Sequence, residues 1–74
     1  MAADKREAFI RLAERRTNGV LEKVRVLGNL SNPYAYEYSD EEVRKIFGAI
    51  EQELRLTRLK FQNHKKRQFK LDAG

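Results

Sequence analysis

Ile10, Ala13, Thr17, Val20, Val24 and Leu27 recur at alternating steps of three and four residues, which lays them along one stripe of an amphipathic helix. None of them is charged. Gly28 and Asn29 follow the last of these positions, where a helix commonly closes on a left-handed residue that Gly or Asn tolerates. The pattern predicts a first helix over about 4–27. A second row, Val43, Phe47, Ile50, Leu54, Thr57 and Phe61, alternates by four and three, and His64 continues it. This row predicts a second helix over about 40–65.

The start of the second helix carries the strongest local signal in the chain. Ser39 followed by Asp40, Glu41 and Glu42 has the form of a capping box, in which the Ser hydroxyl accepts from the Glu42 N–H and the Glu42 carboxylate accepts from the Ser39 N–H. Three acids in the first turn also face the positive end of the helix dipole. Tyr38 before the cap and Val43 after it are spaced for a hydrophobic staple.

If the helices fold back antiparallel with Leu27 against Val43, the stripes pair in order: Val24 with Phe47, Val20 with Ile50, Thr17 with Leu54, Ala13 with Thr57, Ile10 with Phe61. No charge falls in that seam. The expected fold class is therefore all-α, an antiparallel two-helix hairpin forming a single domain over 1–74, able to dimerise into a four-helix bundle. Leu21 and Ile46 flank the seam and are expected to belong to its core. Thr17 and Thr57 are expected to return their hydroxyls to the backbone of the preceding turn.

The connection contains Asn29, Ser31, Asn32 and Pro33, all turn formers, then Tyr34, Tyr36 and Tyr38 in alternation. If this segment is extended, all three rings lie on one side. They and Leu30 either cap the open end of the hairpin or face a partner, since tyrosine buries a ring while keeping a wet hydroxyl.

A chain of 74 residues buries only about 60% of the surface its unfolded form exposes. Small scaffolds are usually supported by disulfides, a metal, regular helix packing or association. With no Cys and one His, packing and association remain. Apolar residues are left over for association. Ala49, Leu56 and Leu59 share a second stripe with Gln52 and Asn63, and Phe9, Leu12 and Val26 share another with Arg16, Gly19 and Lys23. An apolar stripe bordered by polar residues suits an oligomer or partner contact. The protein-contact candidates are thus Ala49, Leu56 and Leu59, together with Tyr34 and Tyr36.

The formal charge is +5, and residues 54–71 hold seven basic side chains and no acid. A block of this kind is either a solvated helix end with a frayed basic tail, about 66–74, or a surface for an anionic partner. Arg55, Arg58, Lys65, Lys66 and Arg67, with Arg11 and Arg15 from the first helix, are the nucleic-acid candidates. Phosphate contacts would dominate such binding, because Phe9, Phe61 and Phe69 supply few rings for base stacking.

The residues point away from catalysis. No nucleophile–base pattern, Gly-rich phosphate loop or helical histidine pair is present, and a hairpin offers no cleft to hold a titratable group. His64, among Lys60, Lys65 and Arg67, has no second ligand or nucleophile beside it in the sequence. No enzymatic activity, metal, cofactor, membrane contact or small-molecule substrate is expected. Met1–Lys5 leads into charged residues without an apolar leader, so a cytoplasmic location is expected.

The segments Arg16-Thr17-Asn18, Gly28-Asn29-Leu30-Ser31-Asn32 and Tyr36-Glu37-Tyr38-Ser39-Asp40-Glu41-Glu42-Val43-Arg44-Lys45-Ile46-Phe47 resemble a pattern in short bacterial helical-hairpin proteins. Some of these come from plasmids, phages and integrated conjugative elements. The segments that carry the resemblance lie between residues 16 and 47, in the central part of the chain. It implies a small accessory or regulatory protein, such as an antiactivator that occupies a surface of a transcription factor, and it transfers no binding residue. In architecture alone the predicted hairpin also resembles Rop-type proteins, which dimerise into four-helix bundles and bind paired RNA loops. The expected partner is either another protein, a second copy of the chain included, or nucleic acid.

Overall fold

A computed structural model describes residues 2–66, with side chains for 4–63. The protein is all-α, as a two-helix hairpin requires. Helix α1 spans Ala2–Gly28, a single 3-10 turn covers Asn29–Ser31, and helix α2 spans Asp40–Lys66. No strand occurs among the described residues. The chain divides into two units, Met1–Glu37 and Tyr38–Gly74, each built on one 27-residue helix.

Both helices run slightly past their expected bounds, and α1 ends differently from expectation. Gly28 is right-handed, with φ −62° and ψ −21°, and no described residue has a positive φ. The last turn of α1 tightens into the 3-10 segment instead, whose shorter bonds take up terminal carbonyls that a left-handed residue would otherwise serve. The stop comes later, at Asn32, which is extended at φ −71° and ψ 107°. Pro33 enforces it, because the proline ring excludes the helical region for the residue before it.

Asn32 also organises the rest of the connection. Its side-chain oxygen accepts from the Tyr34 N–H at 3.0 Å, and its carbonyl accepts from the Ala35 and Tyr36 N–H groups at 3.1 and 3.0 Å. Residues 33–35 are therefore a turn, stabilised by an Asn side chain imitating backbone. The extended strip that would have aligned Tyr34 with Tyr36 and Tyr38 does not form at Tyr34.

The start of α2 is as the sequence predicts. The Glu42 N–H donates to the Ser39 hydroxyl at 3.1 Å, the Ser39 N–H donates to the Glu42 carboxylate at 2.9 Å, and the Val43 N–H donates to the Ser39 carbonyl at 3.1 Å. Both arms of the capping box are made. Ser39→Ala should cost α2 about 1 kcal/mol, seen as faster hydrogen exchange at the Glu42 amide; unchanged protection there would contradict the cap. The Thr57 hydroxyl donates to the Glu53 carbonyl at 2.8 Å, as expected for a threonine folded back onto its helix.

No described residue is buried. Ala8, Leu12, Ala13, Leu27, Val43 and Ile50 are half-buried, and the rest are exposed. Leu21 and Ile46, expected in a core, are 45% and 40% exposed. A single helix has no interior: its side chains gain shelter only from their neighbours one turn away. Neither unit by itself covers its apolar stripe.

Candidate functional surface

Helix α2 is continuous from its cap to Lys66, so side chains three and four positions apart stand over one another. Ala49, Leu56 and Leu59 consequently share a face with Gln52 and Asn63, clear of the row through Ile50 and Leu54. All three are exposed, Leu56 by 44% and Leu59 by 41%. From Ala49 to Asn63 this face bears no charge, over about 21 Å of helix at 1.5 Å per residue. The Gln52 side-chain oxygen accepts from the Arg55 guanidinium at 2.6 Å, which holds the arginine along the border of the stripe. At the N-terminal end Lys45 lies 3.9 Å from the Glu41 carboxylate, so that charge is drawn toward an acid.

Gly48 adjoins this stripe, and the periodicity of apolar positions does not single it out. A Cβ built there meets nothing within 4 Å, as at Gly19 and Gly28, so no contact within α2 itself calls for a glycine. Glycine inside a helix costs about 0.5–1 kcal/mol relative to alanine. That cost, in the middle of an otherwise well-formed helix, was the signal available in the sequence. Gly48 and Ala49 together make a shallow place beside the two leucines.

On α1 the second apolar row is interrupted by charge. Phe9 and Val26 are exposed and Leu12 is half-buried, with Arg16 and Lys23 between them. Arg25 pairs with Glu22 at 3.4 Å, both side chains about two-thirds exposed. A shallow depression lined by Ala13, Glu14, Thr17 and Asn18 holds one carboxylate and no second titratable group.

In the connection, Tyr34 is 98% exposed and Tyr36 50%. Tyr34 projects from the Asn32 turn with almost no cover from its own unit.

Within each helix the basic candidates share a side: Arg11 and Arg15 are one turn apart on α1, and on α2 positions 55, 58, 65 and 66 fall on one flank, whereas Lys60 falls on the opposite flank. Lys65 and Lys66 complete α2, and Arg67, with the basic tail beyond it, lies outside the described residues. Among the described residues no group of three His, Cys, Asp or Glu side chains is placed to hold a metal. No described helix is long and apolar enough to cross a membrane.

No protein-family model matches the chain, and no similar curated protein or solved structure was found.

Proposed function

We propose that this chain is a small non-enzymatic regulatory or adaptor protein of the bacterial cytoplasm that acts through protein–protein contact. Its contact surface is the stripe of Ala49, Leu56 and Leu59, with Tyr34 and Tyr36 from the connection. The observation that carries this reading is the number of apolar faces on α2. The row from Val43 to Phe61 and the stripe from Ala49 to Leu59 lie on different sides, and one neighbouring helix covers only one side. Pairing of α1 with α2 as a hairpin leaves the second stripe in water, where it suits a partner.

The resemblance to short hairpin proteins of mobile elements supports a regulatory setting, and occupation of a transcription-factor surface, as an antiactivator does, is the form we favour. A second reading rests on the acid-free run 54–71: binding of RNA or DNA, in the manner of Rop-type hairpins, by Arg55, Arg58, Lys65, Lys66, Arg67, Arg11 and Arg15.

Light scattering on a size-exclusion column, at low and high salt and with added RNA or DNA, separates the two. A mass unchanged by nucleic acid at either salt is expected. Binding at low salt that is released at high salt, the signature of phosphate contacts, would overturn the protein-contact reading in favour of the second.

A further inference from the structure

We infer that Asn18 is a self-modification site guarded by the helicity of α1. The chain has four asparagines, and the residues that follow them are Gly19, Leu30, Pro33 and His64. An asparagine side chain is open to attack by the backbone nitrogen of the next residue. Pro33 has no N–H to give up, and Leu30 and His64 crowd the approach with their side chains. Glycine puts nothing in the way and moves freely in φ and ψ, so the reaction belongs to Asn18. The Gly19 nitrogen bonds to the carbonyl carbon of the Asn18 side chain and loses its proton, and the side-chain amide leaves as ammonia. Water then opens the resulting succinimide at either of its two carbonyls, leaving aspartate or isoaspartate at position 18.

The folded chain holds this reaction back. Asn18 and Gly19 lie well inside the 27-residue α1, and both are exposed to the water that the second step consumes. In an α-helix the Gly19 N–H donates to the Arg15 carbonyl, so the proton that attack must release is engaged. Closing the ring also turns ψ of Asn18 out of the helical region. Attack therefore waits until α1 opens, and a site so far from both ends is not reached by fraying. No described side chain of α1 is buried, so within its own unit the helix is kept closed by its hydrogen bonds and by neighbours one turn away. Cover for the uncharged row from Ile10 to Leu27 is what stabilises it further, and that cover sets how fast Asn18 ages.

The product does not fit back into α1. Isoaspartate carries one extra carbon in the main chain, which puts the i→i−4 hydrogen bonds spanning position 18 out of register. Either product also places a carboxylate four residues after Glu14 and four before Glu22, and like charges at that spacing destabilise a helix. Arg25 already pairs with Glu22, which offsets one of the two contacts. Glu14 lines the same depression as Asn18, so there the new charge stands beside an acid. The conversion runs one way, and a chain left with α1 uncovered is retired from folding by its own backbone, whatever the partner that covers other chains.

The full chain, incubated in mildly alkaline buffer with and without denaturant, tests this when peptide mapping locates the mass gain of amide-to-acid conversion. Conversion is expected at Asn18 ahead of Asn29 and Asn63, and at least about tenfold faster in denaturant, because only the opened helix reacts. Equal rates in the two conditions would overturn the guard, and conversion led by another asparagine would overturn the site. Gly19→Ala, whose added Cβ meets nothing within 4 Å, should slow the reaction in denaturant too, where no helix remains to account for it. An unchanged rate there would show that Gly19 is not what selects Asn18. The purified isoaspartate form should then lose more helical signal in buffer than Asn18→Asp, which adds the charge alone; equal signals would overturn the effect on the backbone.

Discussion

Ile50→Asp combined with Leu54→Asp should remove most of the far-ultraviolet helical signal of the chain. An isolated helix shorter than about 12–15 residues is marginal in water, and even a longer one in a protein draws most of its stability from packing its apolar face. On α2 that face is the uncharged row Val43, Phe47, Ile50, Leu54, Thr57 and Phe61. Ile50 is half-buried already against its own helix, and it sits at the middle of the row. Covering two such side chains is worth about 3–6 kcal/mol at the usual 1.5–3 each. A chain of this length has a total stability of only about 4–11 kcal/mol, so the double substitution removes most of it. A helical signal within a few per cent of native would show that this row is not what stabilises the helices.

The same kind of change on the other face should behave in the opposite way. Leu56→Glu with Leu59→Glu is expected to leave helicity nearly native and to abolish association. Glutamate forms helix about as well as leucine does, and at position 56 it stands four residues before Lys60, the favourable order for a helical ion pair. Both leucines lie off the row of Val43, Phe47, Ile50 and Leu54, so a neighbour packed on that row does not need them. In an interface, however, the pair contributes about 3–6 kcal/mol. Association should fall by at least about a hundredfold, since each 1.4 kcal/mol is a factor of ten. Sedimentation equilibrium beside circular dichroism reads both quantities on one sample. Retained association would remove Leu56 and Leu59 from the contact surface, and lost helicity would place them in the fold instead.

The contrast between the two double variants is the most useful property of α2, because each stripe is a different answer to the same problem. A single row of apolar residues asks for one neighbour. Two rows on separate sides of one helix ask for two, and this chain has only one other helix to offer among its described residues.

The capping box at Ser39 and Glu42 and the folded-back hydroxyl of Thr57 were legible in the residues, because each is a bond between a side chain and backbone at most four positions away. Their geometry follows from local chemistry whatever surrounds it. The existence of both helices and the faces they present were legible for the same reason, since three- and four-residue spacing maps directly onto a helical surface. The ending of α1 departs from expectation because two local signals compete there. Glycine permits a left-handed turn but does not compel one, whereas Pro33 compels Asn32 to be extended, and the compelling residue prevailed four positions later. The alternation of Tyr34 with Tyr36 and Tyr38 would have mattered in an extended segment. Asn32 instead uses its side chain and carbonyl to bend the chain at Tyr34, leaving that ring in solvent.

Gly48 is the case that residue spacing alone could not resolve. Its place inside a helix was visible, but whether a neighbouring side chain already filled the space beside it depended on three-dimensional packing. That no atom of α2 itself comes near its Cβ position, and that Leu56 and Leu59 gain little shelter from their own helix, emerge only when side chains take up volume. Local bonds and helical period are properties of short stretches of chain and can be read from their order. Which apolar faces remain uncovered is a property of volumes brought together from distant positions, and only the folded structure decides it.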